Sequence, residues 1–431
     1  MNPISTTTGT PPTTDAGSAP DLDTLPVPIW DELRTALDGL GAHALTEELC
    51  AEHLRPLFSR TLERPGIYLG NHSLGRPLDR TADDIRGAVD LWYSDMDDAW
   101  GAWMEAQRAY RAGVARLIGA PTDGCVVPKT NAGQGLRAVL NAMAVRRPNV
   151  VSTRTEFDSV DIILKTYQMR DRASIAWVEP DEDGRIDPDR VVRTITYATD
   201  LVVISHVSYA TGRLIEGLDR IVRAAHANHA AVVLDTYHSA GVLPMDLASL
   251  GVDYAIGGSY KYTRGGPGAC WLMIHPRHST GNGTKRTLDT GWFAKKDVFD
   301  YTRRDVPEFA DGADGWLEST PPFLLPYQAN AGLAFTLGVG LERLRAYSIE
   351  QLAYFKGALE GAGVPVHLPN HHGAFLMVPD EDAPALCARL KSEHALTGDA
   401  RRGYARFCPD VLTTRAEMDE AAGLIARART A

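Results

Sequence analysis

Between Val150 and Ile274 short β-rich runs alternate with helical stretches, and this alternation constrains the fold more than any other feature of the chain. The runs are Val150-Val151, Ser174 to Val178, Leu201 to Ser205, Ala231 to Leu234, Tyr254 to Ile256 and Cys270 to Ile274. Such repetition predicts an α/β fold with a largely parallel sheet wrapped by helices, since parallel neighbours need a crossover and a helix supplies it. Between two runs, Glu216 to His229 carries Leu218, Ile221, Val222 and Ala225 on one side, the stripe of an amphipathic helix.

The flanks differ. Residues 1–26 are mostly Thr, Pro, Ser, Gly and Asp with almost nothing to bury, so burial does not offset the entropy of ordering and a disordered tail is expected. Trp30, Leu33, Leu37, Leu40, Leu49, Leu54 and Leu57 recur at helical spacing and predict two N-terminal helices within 27–64. A large domain over 65–335 follows. After it a helix, a strand at Ala374 to Val378 and a closing helix from Ala416 predict a smaller C-terminal α+β domain over 336–431.

A formal net charge of −11 argues against nucleic acid or an anionic membrane surface as the main partner, because either selects a basic face. No stretch approaches the about 18 consecutive apolar residues of a membrane span, and no basic segment leads into an apolar run at the N-terminus. A cytoplasmic protein is expected. Cys50, Cys125, Cys270, Cys387 and Cys408 lie scattered, and His371-His372 lacks further ligands at metal spacing, so reduced thiols and no metal are expected.

The chemistry concentrates between Ala231 and Ile274. A β-run ends in Asp235; Thr236, Tyr237 and His238 follow in the turn; a second β-run leads through Gly257-Gly258-Ser259 to Tyr260-Lys261 and then Gly265-Gly266-Pro267-Gly268. Open α/β sheets place ligands at the carboxyl ends of their strands, so Asp235 and Lys261 can share one crevice although 26 positions apart. Pyridoxal phosphate uses such a pair: the carboxylate keeps the pyridine nitrogen protonated, and the lysine forms an imine and shuttles protons. Alone, an Asp at a strand end is ordinarily a helix cap and a Lys is ordinarily solvated. Together, with Tyr260 and Tyr262 flanking a lysine beside a glycine-rich turn, they point to a desolvated amine of lowered pKa.

This segment resembles the kynureninase branch of the class V aminotransferase-like enzymes, which use pyridoxal 5'-phosphate. The similarity extends to Ile67–Pro77 (IYLGNHSLGRP), Ser205–Arg213 (SHVSYATGR), Gly291-Trp292-Phe293 and Ser319-Thr320-Pro321-Pro322. The resemblance implies an aspartate-aminotransferase-like fold with a mainly parallel seven-stranded sheet. It also implies that Lys261 holds the cofactor, Asp235 takes its ring nitrogen, His238 sits near the ring and Tyr260 donates to the phosphate. Trp292 and Thr320 match positions that complete the phosphate site from a neighbouring subunit, so a homodimer with shared sites is expected. Small residues after Lys129 leave backbone N–H groups open to an anion before the apolar run Leu136–Met143, and Thr130, Asn131 and Ala132 match the family's phosphate loop. Near the C-terminus, the stretch from Gly398 to Phe407 is similar to the one whose arginine binds the substrate carboxylate, and Arg406 is the candidate. Trp92, Tyr93, Trp100 and Trp103 form an aromatic cluster that serves as core or as pocket lining.

Two departures stand out. Where kynureninases have a Phe-Pro-Thr-Asp run with a stacking ring and a second aspartate, this chain has Glu156–Gln168 (EFDSVDIILKTYQ). One alignment places Val160 and Ile163 in those roles, another Phe157 and Asp161. In the family's Gly-Trp-x-Gly-His run, Ala294 and Lys295 replace glycine and histidine. The expectation is an enzyme that binds an L-α-amino acid as an imine on the cofactor and breaks a bond at the α- or β-carbon, a lyase of specialised metabolism. Kynurenine hydrolysis is the runner-up, followed by transamination, epimerisation and oxidative decarboxylation, with a binding scaffold that has lost catalysis as the remote alternative.

Overall fold

Val, Ile and Leu alternate along the middle strands so that each strand is buried on both faces. A computed structural model describes residues 20–281 and 284–430. Its main sheet comprises β1 (Val126–Lys129), β2 (Asn149–Thr153), β3 (Ser174–Val178), β4 (Leu201–Ser205), β5 (Ala231–Asp235), β6 (Tyr254–Gly258) and β7 (Cys270–Ile274). The spatial order is β1-β7-β6-β5-β4-β2-β3. β3, β2, β4, β5 and β6 pair in parallel, and β7 runs antiparallel to both β6 and β1. On β5, Val232 and Leu234 join one hydrophobic core and Ala231 and Val233 the other, the two-residue period of a sheet covered on both sides. This is the expected seven-stranded, mainly parallel α/β architecture.

A second, antiparallel sheet has the order β8-β10-β9, with β8 (Leu376–Pro379), β9 (Asp399–Arg401) and β10 (Tyr404–Phe407). The helices Leu341–Gly361, Ala383–His394 and Arg415–Thr430 accompany it, and Leu352, Phe355, Val378, Phe407 and Ile425 share its core. Ile67 and Leu69 hydrogen bond along Ala395 and Thr397, so the segment after the N-terminal helices is stitched to the C-terminal part of the chain.

Several boundaries differ from the sequence expectation. β1 was not anticipated: it is four residues long, contains Pro128 and sits at the sheet edge, where a strand tolerates proline. The amphipathic helix spans only Leu218–Ala227, because Gly217 and His229 have positive φ at its two ends. The N-terminal segment holds the helix Asp31–Leu40, then a run broken into α, π and 3-10 turns between Glu47 and Leu62; Pro56 lies in the 3-10 turn, where it offers no N–H. The expected strand at Ala374 to Val378 lies at Leu376–Pro379. Of the expected tail, residues 1–19 lie outside the described residues, and Leu22–Thr24 form a 3-10 turn. Among the described residues no helix is long and apolar enough to cross a membrane, and no three His, Cys, Asp or Glu side chains are grouped to hold a metal ion.

Candidate active site

Parallel register brings the functional strand ends together. Ser205 at the end of β4 lies beside Asp235 at the end of β5, and Asp235 lies beside Ile256 on β6. Two glycines after Ile256 carry the chain towards Lys261 against crowded neighbours; a Cβ on Gly258 would sit 2.1 Å from the Tyr237 hydroxyl. From the other side Gly75 packs on this turn: its N–H donates to the Tyr260 carbonyl at 2.8 Å, and a Cβ there would lie 1.9 Å from the Lys261 carbonyl oxygen. The segment Ile67–Pro77, singled out in the sequence, therefore clamps the backbone of the lysine turn.

Asp235, His238, Tyr260 and Lys261 line one cavity of about 370 Å³, together with Asn131 and Ala132. Lys261 is buried, and its Nζ donates to His238 Nε2 at 2.6 Å. Burial pushes the lysine down to about 7, against the pull of the Asp235 carboxylate. Burial likewise holds His238 well below the usual imidazole range, so it is a neutral acceptor, and its Nδ1 has no hydrogen-bond partner. The Asp235 carboxyl is raised by burial, and one of its oxygens accepts the Tyr237 N–H at 2.8 Å.

The phosphate-loop candidates divide. Asn131 caps the helix Ala132–Leu140, its Oδ1 accepting the Gln134 N–H at 2.8 Å, and Asn131 and Ala132 face the cavity. Thr130 lies on a separate concavity shared with Thr320; its N–H and hydroxyl both donate to Gln134 Oε1, at 2.9 and 3.1 Å. Trp292 Nε1 donates to Thr320 Oγ1 at 3.0 Å, and neither residue lines the Lys261 cavity of its own chain.

Arg406 is buried on β10, opposite Asp399 on β9. Its Nε donates to Asp399 Oδ1 at 2.7 Å, Nη2 donates to Asp399 Oδ2 and Nη1 to the Tyr209 carbonyl. Three of the five guanidinium N–H groups are thus engaged inside the protein, leaving one on each terminal nitrogen. Asp399 also accepts from His72 Nε2 at 2.8 Å and Ser73 Oγ at 2.9 Å. Burial pushes His72 down to about 4, so it donates as a neutral imidazole, and the charge that balances Asp399 is the guanidinium. Burial opposes ionisation of Asp399, yet its donors outweigh that and hold it far below the usual carboxylate range.

At Glu156–Gln168 the cavity wall carries Phe157 of one alignment and both Val160 and Ile163 of the other. The Phe157 ring is on that wall, its centroid 5.7 Å from Lys261 Nζ. Val160 and Ile163, three residues apart, follow it along the same wall. Asp161 pairs instead with Lys165 at 2.6 Å, away from it. Trp100 and Trp103 pack against Phe323 and the second core, while Trp92 and Tyr93 are exposed; none of the four lines the cavity. Ser205 and Tyr209 line the cavity, and Glu156 binds the Ser205 hydroxyl; none was a candidate, since nothing in a single sequence marks such residues as buried at a shared site.

The donor set fits pyridoxal phosphate. A buried carboxylate with one bonded oxygen suits a ring N–H, a desolvated amine stands in the same cavity, and a capped helix start opens onto it.

Comparisons with known proteins agree. The family described as aminotransferase class-V matches residues 92–364. The kynureninase of Salinispora tropica is 28% identical over 374 residues, which cover 79% of this chain and 85% of that protein. The apo cysteine desulfurase of Thermococcus onnurineus NA1 superposes with a TM-score of 0.75 at 18% identity, covering 88% of this chain and 98% of that one. A variant of C-DES with glycine covalently linked to its PLP cofactor gives 0.75 at 17% identity, over 86% and 98% of the two chains.

Proposed function

We propose, from the premise that this chain belongs to the aminotransferase class-V family, that it cleaves a bond at the α- or β-carbon of an L-α-amino acid. It is a pyridoxal-phosphate-dependent enzyme of the lyase or hydrolase type. The observation that carries the finer reading is the shared cavity of Asp235, His238 and Lys261; Arg406 is buried outside its lining, close enough for its charge to act on Lys261.

When bound, pyridoxal phosphate supplies an electron sink for the bonds at the substrate α-carbon. The residues of this chain do the rest. Asp235 would hold the ring nitrogen, and the helix start at Asn131 and Ala132 would receive the phosphate. The Lys261 amine, lowered to about 7, is partly neutral at physiological pH and serves as nucleophile and proton carrier; neutral His238 Nε2 accepts a hydrogen bond from Lys261 Nζ and orients it. The two N–H groups left on Arg406 would take the substrate carboxylate and fix which α-carbon bond lines up with the sink. Phe157 and Val160 exclude water from one wall.

A homodimer in which Trp292 and Thr320 serve the neighbouring site is part of this reading, as are a cytoplasmic setting and a division into domains at 65–335 and 336–431. Kynurenine hydrolysis is the second reading, favoured by the likeness to kynureninase over most of the chain. The experiment is mass spectrometry of products after incubating the holoenzyme with L-amino acids that include kynurenine and cysteine S-conjugates. A product cleaved at the α- or β-carbon is expected. Simple amino-group exchange as the one reaction would contradict the proposal.

A further inference from the structure

Glu156 is the one buried acid of the site that the mechanism above leaves without a task. It follows β2 and leads into the helix Asp158–Met169. Its side chain is 2% exposed and, among the described residues, forms no ion pair with Arg, Lys or His. Every side chain that binds it is a hydroxyl. Ser205 Oγ donates to Oε2 at 2.5 Å, and Thr153 Oγ1 to Oε1 at 2.6 Å; Thr153 Oγ1 lies in turn 2.8 Å from Thr155 Oγ1.

We infer that Glu156 is a positioning residue for Asp235: linked through Ser205, it keeps a second, proton-bearing carboxyl behind the one that would face the cofactor's ring nitrogen. This rests on the assignment of Asp235 given above. Ser205 joins the two acids in space, since it binds Glu156 through its hydroxyl, pairs with Asp235 across the strands and lines the cavity.

A cationic partner would fix Glu156 as an anion, whereas hydroxyls exchange donor and acceptor roles and serve either protonation state. Two buried anions so close repel, so one carboxyl retains its proton while the other is ionised. The surroundings decide which. Asp235 has the Tyr237 N–H and the Lys261 charge to favour its anion. The charge that acts on Glu156 is that of Asp235 on β5; His206 beside Ser205 is neutral, pushed down to about 4 by burial. Burial pushes Glu156 itself up to about 7; the Ser205 and Thr153 hydroxyls pull against that, and the Asp235 charge adds to the rise.

The test is cofactor affinity, measured on cofactor-stripped full-length protein by absorbance titration with pyridoxal phosphate. Wild type is compared with Glu156→Gln, which is isosteric and permanently neutral. Lys261 titrates in both proteins, so its contribution cancels in the ratio of their dissociation constants. Binding with Asp235 ionised requires Glu156 to hold its proton, so affinity in the wild type alone falls as that proton becomes harder to keep. The ratio of wild-type to variant constants is expected within about threefold of one near pH 6 and at least about fivefold higher near pH 8.5. A ratio that does not change with pH overturns the inference and leaves Glu156 a packing residue. Should Glu156→Gln not fold, Ser205→Ala removes the linking hydroxyl and is expected to move the wild-type inflection to higher pH; an unmoved inflection overturns the inference. Wild type that binds no pyridoxal phosphate overturns the Asp235 assignment as well, which separates that failure from this one.

Discussion

Lys261 Nζ donates a 2.6 Å hydrogen bond to His238 Nε2, and Asp235, the acid of the same cavity, is not its hydrogen-bond partner. The amine is therefore buried without a contacting carboxylate, which is why burial lowers it to about 7. Only the neutral amine attacks an aldehyde, and the neutral fraction grows as pH rises through the folded pKa. The rate at which cofactor-free protein captures pyridoxal phosphate should rise to a plateau with a midpoint near pH 7. Stopped-flow absorbance across pH checks this, and a midpoint near that of a solvated lysine would contradict it.

Asp235→Ala should weaken cofactor binding and lower turnover by at least about a hundredfold, or roughly 2.7 kcal/mol, because a neutral pyridine is a poorer electron sink. Turnover within a few-fold of wild type would mean that another group protonates the ring.

The Asp399–Arg406 pair separates structure from binding. Asp399→Ala leaves a buried guanidinium without its counter-ion and should cost about 3–5 kcal/mol in chemical denaturation. Asp399 is held below its ordinary 3.8, so the stability it adds is present above that pH and is lost as pH falls further. The acid limb of Asp399→Asn should accordingly be flatter than that of wild type. Arg406→Lys should raise KM far more than it alters unfolding of the cofactor-loaded protein, because an ammonium does not grip Asp399 and a substrate carboxylate at once. Equal KM values in Arg406→Lys and wild type would remove Arg406 from the substrate site.

Kynurenine should be turned over at least about a hundredfold less efficiently than the true substrate, a loss of roughly 2.7 kcal/mol. In place of the Phe-Pro-Thr-Asp run the cavity wall carries Phe157, Val160 and Ile163, and Asp161 pairs with Lys165 instead. Lys295 replaces the family histidine, and its amine is taken by the Asp300 carbonyl. Steady-state release of anthranilate at rates normal for an enzyme on its own substrate would promote the second reading.

How much of this was legible in the sequence depends on the range of the interaction. Six strands of the main sheet were readable because each is a short β-branched run between helical stretches, and Asp235 and Lys261 were readable because they end or follow such runs. β9 and β10 were not anticipated as strands, since charged residues at Asp399, Arg401 and Arg406 mask the pattern; their pairing is what faces Arg406 with Asp399. Phe157, Val160 and Ile163 recur every three residues, so one face of this segment lines the cavity while Asp161 pairs with Lys165, a grouping that the run of residues does not display. Glu156 illustrates the same limit, because the Ser205 hydroxyl that binds it comes from β4, 49 positions along the chain.

The central claim is that Lys261 carries the cofactor covalently. Borohydride reduction of the holoenzyme, followed by proteolysis and peptide mass spectrometry, tests it directly. The reduced pyridoxyl-phosphate mass is predicted on the peptide containing Lys261 alone, and Lys261→Ala should fold, lack visible absorbance and yield no modified peptide. A reduced adduct on another lysine, or one that persists in Lys261→Ala, would contradict the account.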